Sequence, residues 1–523
     1  MTGSAEREGA SLRSDQLQDE AVKGVGWTMA HTVLSIPIAF LVNLLLARAL
    51  APEGYGRLAY LTTLVSIAGS VIALGLSSAM IQFGAKAHAT GDRDEVRRIL
   101  SASQGFRLLV VAPALTLVVL WLVDVPLLFL VLALACGVWL PAALDGAPIT
   151  LFIENKTAAG ARIAMVSNLL VQAGVVVAVL WIGTADSVWA TRVVLTAAGI
   201  AAALVAISPD YRRAVLRPRA PRHFPPGFWR FALPTGLASL IGELAISRTE
   251  VVFLNWLSTP EAVGLFALAF GLSGHIFAPA QALTGPLLPA VSGLREVDPG
   301  RVVDAFGRAL RASSTVVATL TAAALPALSV LVPTLYGHEF AAAAPAVLVL
   351  GVTGAFMVLA GPVSTFVLAR LSARSLLQAN AAALCVNLVA VLTLIPALGL
   401  WGAVLANMLG GLTLLVLLLE SERRDLGLTP GEVLHWLQPV FIAGLGTALG
   451  WVVVAQVPLA ALPGAVVASS ISLLVLVAVM RATRCGLDRA DAEAVLRIAP
   501  PRLKPVLHTV LIVLVVRRRH PVD

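Results

Sequence analysis

The sequence has few charged residues for its length, and this shortage limits what the chain can be. Charged residues make up 13% of the 523 residues, whereas hydrophobic residues make up 58%. A soluble protein of this size needs more polar material to cover its surface, so lipid must solvate most of this one. The net charge of +8 does not indicate nucleic-acid binding, because a soluble basic face interleaved with aromatic residues is lacking. We therefore expect an integral membrane protein.

Cysteines and common catalytic motifs are also scarce. Cys136 and Cys385 lie in apolar stretches and Cys485 lies in an arginine-rich segment, so we expect neither a disulfide nor a metal site. None of the lysines follows a glycine, which excludes a Walker A loop for ATP. We expect a protein that is not an enzyme and holds no cofactor, so any work it performs must draw on its substrate or on a gradient of an ion such as H⁺ or Na⁺. Residues 1–23 lack a short apolar core, so no removable signal peptide is predicted.

What the sequence has instead is a series of long apolar runs. Each is long enough, or nearly so, to cross a bilayer core of ~30 Å, and none alternates as barrel strands do. The predicted fold is an all-α integral membrane protein with about fourteen transmembrane helices. The predicted spans are 24–50, 58–83, 108–123, 125–151, 163–182, 188–207, 231–257, 263–294, 313–335, 342–368, 376–396, 400–419, 437–457 and 459–480.

These spans fall into two predicted lobes of six helices with one helix pair appended. The predicted parts are a cytoplasmic tail 1–23, an N-lobe 24–207, a basic cytoplasmic linker 208–230, a C-lobe 231–420, the appended pair 437–480 and a cytoplasmic or interfacial tail 481–523. With the N-terminus in the cytoplasm, 33 of the 37 Lys and Arg residues lie on the cytoplasmic side, as the retention of positive charge there requires. The exceptions are Arg48, Arg57, Arg192 and Arg248. We predict a multi-pass protein of the inner (cytoplasmic) membrane with both termini in the cytoplasm.

A short internal repeat supports the division into two lobes. The segment APEGYGRLA at 51–59 recurs as TPEAVGLFA at 259–267, an offset of 208 residues. Because each predicted repeat has an even number of helices, the two lobes would share one orientation and relate by an axis along the membrane normal. We expect two lobes that face each other across a central cleft.

Several longer segments carry a family resemblance. LLLARALAPEGYGRLAYLTTL, GLSSAMIQFGAKAHATGDRDEVRRIL, STPEAVGLFALA, LYGHEFAAAAPAVLVLG and IPALGLWGAVLANML occur in this order. Over roughly 24–480 the chain resembles bacterial polysaccharide flippases (Wzx-like) of the multidrug/oligosaccharidyl-lipid/polysaccharide exporter (MOP) superfamily. The resemblance implies a V-shaped transporter that flips an undecaprenyl-pyrophosphate-linked oligosaccharide to the outer leaflet by alternating access. It implies membrane lipids, a polysaccharide polymerase and glycosyltransferases as partners, and no nucleic acid. Phe266 departs from the tyrosine common in the second repeat.

A flippase for a lipid pyrophosphate needs cations in a wet cavity, because an anionic headgroup cannot cross hydrocarbon unpaired. The predicted substrate-binding residues are Arg248, Arg48, Asn43, His275 and Gln281. Arg248 leads because it lies ~13 Å inside its predicted span at 1.5 Å per residue. A pairing of Arg248 with a neighbouring helix is equally open. For Arg48 and Arg192, snorkelling to the outer interface is the preferred explanation, and for His275, Asn43 and the other intramembrane asparagines it is a hydrogen bond between helices.

Three other functions are weighed against this one. A cation-coupled multidrug exporter of the same superfamily would be expected to carry an acidic ion site in the first lobe, but 24–50 contains no Asp or Glu. A lipid II flippase differs only in substrate, so a transport assay must separate the two. A membrane polymerase or ligase for lipid-linked glycans would need a large outer loop with catalytic groups. The predicted outer connections, such as GTADS and STPEA, are too short for that.

Overall fold

The computed structural model describes most of the chain and divides it into two compact units. The described residues are 2–122, 125–221, 224–244, 249–281, 291, 294–295, 297–370, 373–457 and 459–487. The N-terminal unit is Met1–Ile241 and the C-terminal unit is Gly242–Asp523. The lobe and linker boundaries given above remain predictions, and each unit is described by itself.

The described part of the N-terminal unit is helical nearly throughout. Its helices are α1 Thr2–Ala73, α2 Leu76–Ala89, α3 Arg93–Phe106, α4 Ala112–Leu122, α5 Leu127–Leu132, α6 Leu140–Leu144, α7 Gly146–Ile153, α8 Thr157–Trp181, α9 Ala185–Ala206, α10 Pro209–Leu216 and α11 Phe228–Glu243, whose last residues pass the unit boundary. Two π-helical turns, Arg107–Val111 and Ala133–Trp139, join α3 to α4 and α5 to α6. Such turns are rare in proteins, and those that do occur are often found at functional sites.

Two breaks shape the first helices. Ala51 has φ 54°, a value that non-glycine residues seldom adopt, and it comes directly before Pro52 inside α1. Between α1 and α2 the chain turns through Gly75, whose φ is 70°. A Cβ atom at Gly75 would lie 1.9 Å from the carbonyl oxygen of Ala232, so only glycine allows α11 to approach the break this closely.

The C-terminal unit is built from helices of more regular length. They are α12 Thr249–Leu257, α13 Pro260–Gln281, α14 Val302–Tyr336, α15 Ala343–Ala369, α16 Ala373–Leu398, α17 Leu400–Leu426, α18 Pro430–Gln456 and α19 Ala461–Thr483. α18 begins with a capping box in which the Thr429 hydroxyl accepts from the backbone of Glu432 and the Glu432 carboxylate accepts from the backbone of Thr429. The pair α18–α19 packs on α14, where the Ser469 hydroxyl donates to the Ala323 carbonyl at 2.7 Å.

Glycines on α18 bring the last two helices close together. A Cβ atom at Gly450 would lie 2.4 Å from the carbonyl oxygen of Ala468, and one at Gly446 would lie 2.9 Å from that of Ser472. Close backbone approach at small residues is the usual way in which membrane helices pack, because lipid supplies no hydrophobic drive between them. The appended pair is therefore tightly packed on itself.

The described residues contain twelve helical ranges long and apolar enough to cross a membrane. They confirm the all-α membrane fold. The count of about fourteen remains a prediction: the first range, Leu34–Ala89, is 56 residues long and covers residues 34–50 of the first predicted span together with the whole second span, 58–83. The predicted span 231–257 includes residues 245–248, which lie outside the described part of the chain.

Two predicted spans are corrected by the structure. The span 313–335 starts too late, because α14 begins at Val302. The span 108–123 starts too late, because the helix begins at Arg93 and runs as α3, a π-helical turn and α4 to Leu122. The apolar range there is Arg93–Trp121, 29 residues long. A search for apolar runs ends at Arg107 because this residue is charged. The helix nevertheless continues through Arg107, because its guanidinium has polar partners inside the unit.

The two copies of the short repeat take similar places in their units. In the N-terminal unit the copy at 51–59 restarts the helix at Pro52 after the Ala51 break. In the C-terminal unit the copy at 259–267 starts α13 at Pro260, and the Thr259 hydroxyl accepts from the Ala262 amide at 3.2 Å. In both, proline stands at a helix start, where its missing amide hydrogen costs nothing.

Candidate functional site

The N-terminal unit contains a cavity of about 380 Å³ between its helices. Five elements line it: α1, the start of α2, the second π-helical turn, the α6–α7 junction and α9. The polar groups in its lining are Thr62, Ser66, Ser77, Cys136, Asp145, Trp189, Arg192 and Thr196. A cavity with convergent polar groups and charge inside a helix bundle is the default place for a ligand in an otherwise apolar body.

Arg107 forms the polar centre behind this cavity. Its side chain is fully buried, and its Nη2 lies 3.0 Å from Asp145 Oδ2. Nη2 also donates to the Ser77 hydroxyl at 2.9 Å, and Nη1 donates to Gln104 Oε1 at 3.0 Å. Nε donates to the Ile72 carbonyl at 3.2 Å. Each nitrogen of the guanidinium therefore has a partner, as a buried charge requires.

Local backbone features place the two members of the pair. Arg107 opens the first π-helical turn, directly after α3. Asp145 occupies the break between α6 and α7, three residues before Pro148. A proline inside a helix removes one backbone hydrogen bond and clashes with the preceding turn, so the helix yields at this point. Ser77 and Asp145 line the cavity as well as contacting Arg107, which holds both of them in fixed positions.

Arg192 is the cation that lines the cavity itself. It lies on α9, which begins at Ala185 after the Thr184 cap, so Arg192 is about two turns inside the helix. The side chain is half-buried and interacts electrostatically with Tyr55. Among the described residues, no carboxylate lies within ion-pair distance of Arg192. The helix begins before the predicted start of its span at 188, so Arg192 lies beyond the first turn, and its snorkelling to the outer interface remains a prediction.

The C-terminal unit has a polar cluster of different character, centred on Glu250 of α12. The carboxyl group is fully buried, and its Oε1 accepts from Asn387 Nδ2 at 2.6 Å and from Asn407 Nδ2 at 2.8 Å. Asn387 Nδ2 also donates to the Ala406 carbonyl at 3.2 Å. Within the described part of the chain, Glu250 Oε2 and Asn387 Oδ1 accept no hydrogen bond. The asparagines thus bond between helices as predicted, and two acceptor oxygens are left over.

Two of the predicted substrate-binding residues cannot be placed. Arg248 belongs to residues 245–248, outside the described part of the chain. Gln281 is the last residue of α13, and its side chain is also outside the description. Their roles remain predictions.

The other three predicted residues are described but do not come together around the cavity. Asn43 is half-buried and Arg48 exposed on α1, and neither belongs to the lining of the N-terminal cavity as described. His275 lies on α13 of the other unit, where its Nδ1 is 2.5 Å from the Gly271 carbonyl of its own helix. This contact gives Nδ1 a partner within the same helix, rather than the expected hydrogen bond between helices.

The sequence reasoning missed Arg107, Gln104 and Glu250. Arg107 directly precedes the predicted span 108–123, which counts it among the Lys and Arg residues on the cytoplasmic side. A helix-start signal was present: the Asp92 carboxylate accepts from the Glu95 amide at 2.9 Å and caps α3. Counting from that cap puts Arg107 about fourteen residues, or ~21 Å, into the helix. This signal could have placed it within the membrane.

Comparisons with known proteins agree with this architecture. Residues 21–292 match the model of a family described as polysaccharide biosynthesis protein. Among curated proteins, no sequence matches significantly. Among solved structures, the lipid II flippase MurJ in an inward closed conformation superposes with a TM-score of 0.63 and 12% identity, covering 87% of this chain and 98% of that one.

Two multidrug transporters also share the fold. An inward-facing multidrug resistance MATE family transporter of the MOP superfamily gives a TM-score of 0.51 at 17% identity, covering 76% of this chain and 98% of its own. A mutant of a Vibrio cholerae MATE transporter gives 0.52 at 14% identity, covering 78% and 98%. At these identities the likeness establishes the fold alone.

Proposed function

Because this chain belongs to the polysaccharide biosynthesis protein family, and is a multi-pass transporter of the MOP superfamily by fold, we propose that it flips an undecaprenyl-pyrophosphate-linked oligosaccharide. The substrate would move from the inner to the outer leaflet of the cytoplasmic membrane by alternating access, to supply polysaccharide biosynthesis. Both termini would lie in the cytoplasm. A polysaccharide polymerase and glycosyltransferases would act before and after the transport step.

The observation that carries this proposal is the charge balance of the N-terminal cavity. Asp145 is compensated by Arg107, whereas Arg192 has no carboxylate partner among the described residues. The cavity therefore has a net positive charge, which suits a diphosphate and would repel a cationic drug. An unpaired cation inside a membrane bundle is costly and usually marks a substrate pathway.

The Glu250 cluster offers a way to couple transport to an ion gradient. Among the described residues no cation pairs with Glu250, and a buried carboxylate without a countercharge is expensive, so Glu250 would carry a proton or bind a small cation such as Na⁺. Its Oε2 and the Asn387 Oδ1 have free acceptor capacity for either one. We propose that loading and release at Glu250 drive the conformational cycle.

The alternatives are weaker on the same residues. A multidrug exporter would be expected to have an acidic ion site in the first lobe, and the Asp145 carboxylate there is already paired with Arg107. The fold likeness to MurJ does not decide between lipid II and another lipid-linked oligosaccharide. An enzyme that joins glycans would need a catalytic site on the outer side, and the described connection between α8 and α9 is only a few residues long.

The test is leaflet-resolved detection of the lipid-linked oligosaccharide in a deletion strain. In spheroplasts of this strain, the fraction of the oligosaccharide accessible to an added impermeant glycosidase should fall at least tenfold. Complementation with Arg192→Ala should fail at equal protein level, and Arg192→Lys should restore part of the delivery. Arg213→Ala, an exposed cation on α10, is the matched control and should complement fully. Normal delivery in a deletion strain without redundant flippases would refute the proposal.

A further inference from the structure

A second concave site lies on the surface of the N-terminal unit, between α8 and α9. It has a volume of about 450 Å³ and eleven lining residues, of which only Arg162 and Ser167 are polar. Val166 and Leu170 in its walls are 51% and 57% exposed in the whole chain. A water-filled cavity would need polar walls, so an apolar groove open to the surroundings of a membrane protein is filled by hydrocarbon.

The dimensions of the groove fit one leaflet. Its lining runs from Ala159 to Leu170 on α8 and from Leu195 to Ala206 on the antiparallel α9. Eleven residue steps at 1.5 Å correspond to ~17 Å, close to half of a ~30 Å bilayer core. In the predicted topology this half is the cytoplasmic one. The groove could thus accommodate one lipid chain from headgroup level to midplane.

Close helix packing forms the floor of the groove. A Cβ atom at Gly199 would lie 2.7 Å from the Ser167 hydroxyl oxygen, so α8 and α9 touch at this point. The small side chains of Ala198 and Ala202 leave space above the floor, and the larger Ile163 and Val166 form a wall beside it. The groove is therefore a fixed feature of the helix pair.

The end of the groove near the start of α8 differs from the apolar remainder because it carries a positively charged residue. Arg162 lines this end, and its guanidinium lies 5.9 Å from the ring centroid of Trp27. Its Nε reaches only the Ala158 carbonyl at 3.4 Å, and no carboxylate of the described residues pairs with it. At the same end Arg212 Nη2 donates to the Val205 carbonyl at 3.0 Å. Lys156 Nζ donates to the Ala206 carbonyl at 3.2 Å but also pairs with Glu154 Oε2 at 2.8 Å, so Lys156 adds no net charge there.

We propose that this groove is a binding site for an anionic phospholipid of the cytoplasmic leaflet, with one acyl chain between α8 and α9 and the phosphate on Arg162. Charge complementarity selects the occupant, because the cations at one end attract anionic headgroups at the cytoplasmic surface. The tryptophan beside Arg162 is typical of the headgroup level. The site is distinct from the polar cavity and its occupancy does not depend on the proposed substrate.

Native mass spectrometry of the full chain with added lipid tests the proposal. Dioleoylphosphatidylglycerol should bind at least fivefold more tightly than dioleoylphosphatidylcholine. Arg162→Ala should remove most of this preference, about the fivefold factor expected from one basic residue at an anionic surface. Arg162→Lys should retain it. Ala202→Trp, which fills the groove and keeps the charge, should weaken the binding of phosphatidylglycerol.

Arg374→Ala is the matched control. Arg374 is an exposed arginine in the first turn of α16, the helix that takes the same place in the second predicted lobe as α8 takes in the first. Because Arg374 does not line the groove, its removal should leave the lipid preference unchanged. A melting temperature close to that of the parent protein will show for each variant that it is folded. Equal affinity for the two lipids, or full preference in Arg162→Ala, would overturn the proposal. So would displacement of phosphatidylglycerol by equimolar undecaprenyl phosphate, which would assign the groove to the carrier lipid.

Discussion

In the N-terminal unit Arg107 is a fully buried guanidinium whose three nitrogens all donate, whereas in the C-terminal unit Glu250 is a fully buried carboxyl group with an oxygen that accepts nothing in the described residues. Arg107 contacts Asp145, Ser77, Gln104 and Ile72 and is held in place by them. Glu250 uses only Oε1. A saturated charge serves to fix positions, while an unsaturated one has capacity for a ligand.

The comparison predicts that removing the saturated charge has the largest effect on stability. Arg107→Met leaves Asp145 without its cation and leaves the Ile72 carbonyl and Gln104 without a donor. The free energy of unfolding should fall by about 3 kcal/mol, as for other broken buried pairs. Thermal unfolding of the purified variant, followed by tryptophan fluorescence, measures it.

The double variant Arg107→Met with Asp145→Asn is the control for this pair. Removing both charges should recover part of the loss, because the uncompensated carboxylate disappears. If Arg107→Met alone remains within about 1 kcal/mol of the parent, the saturated pair is not holding the unit together, and the contrast with Glu250 fails.

The unsaturated group should behave in the opposite way. Glu250→Gln keeps an oxygen that can accept from Asn387 and Asn407, so the free energy of unfolding should change by less than about 1 kcal/mol. Transport into vesicles driven by an imposed H⁺ or Na⁺ gradient should fall at least tenfold, because the amide carries neither a proton nor a cation. Glu261→Gln, an exposed acid in the first turn of α13, is the matched control. Wild-type gradient dependence in Glu250→Gln would exclude this carboxyl from coupling.

Breaking an ion pair near the surface should give the smallest loss of unfolding free energy in this comparison. Asp186, in the first turn of α9, lies 2.6 Å from Arg57, which is 44% exposed. Asp186→Asn should cost only about 0.5 kcal/mol, because water screens such pairs and the helix dipole adds little. The cost should shrink further in high salt. A loss as large as that of Arg107→Met would mean that burial does not set the ranking.

The membrane fold and most helices could be predicted from apolar runs, because lipid leaves a chain little choice of secondary structure. The polar sites could not. Arg107 has its countercharge 38 positions away at Asp145, and a local reading assigns a charge beside an apolar run to a loop. Glu250 has no partner nearby in the sequence, because Asn387 and Asn407 lie on helices far along the chain. The depth of Arg192 in its helix differs from the prediction for a simpler reason. The predicted span starts at 188, whereas α9 begins at Ala185 after the Thr184 cap.

The π-helical turn at Arg107–Val111 holds one residue more than an α-helical turn. An ordinary helix rotates by ~100° about its axis for each residue, and the wider turn absorbs the extra residue. Deleting one of residues 108–111 would therefore restore an α-helical turn and leave α3 and α4 in nearly the same relative rotation. The helix thus contains one position that a single-codon deletion can remove while Gln104 and Arg107 keep their side of the helix.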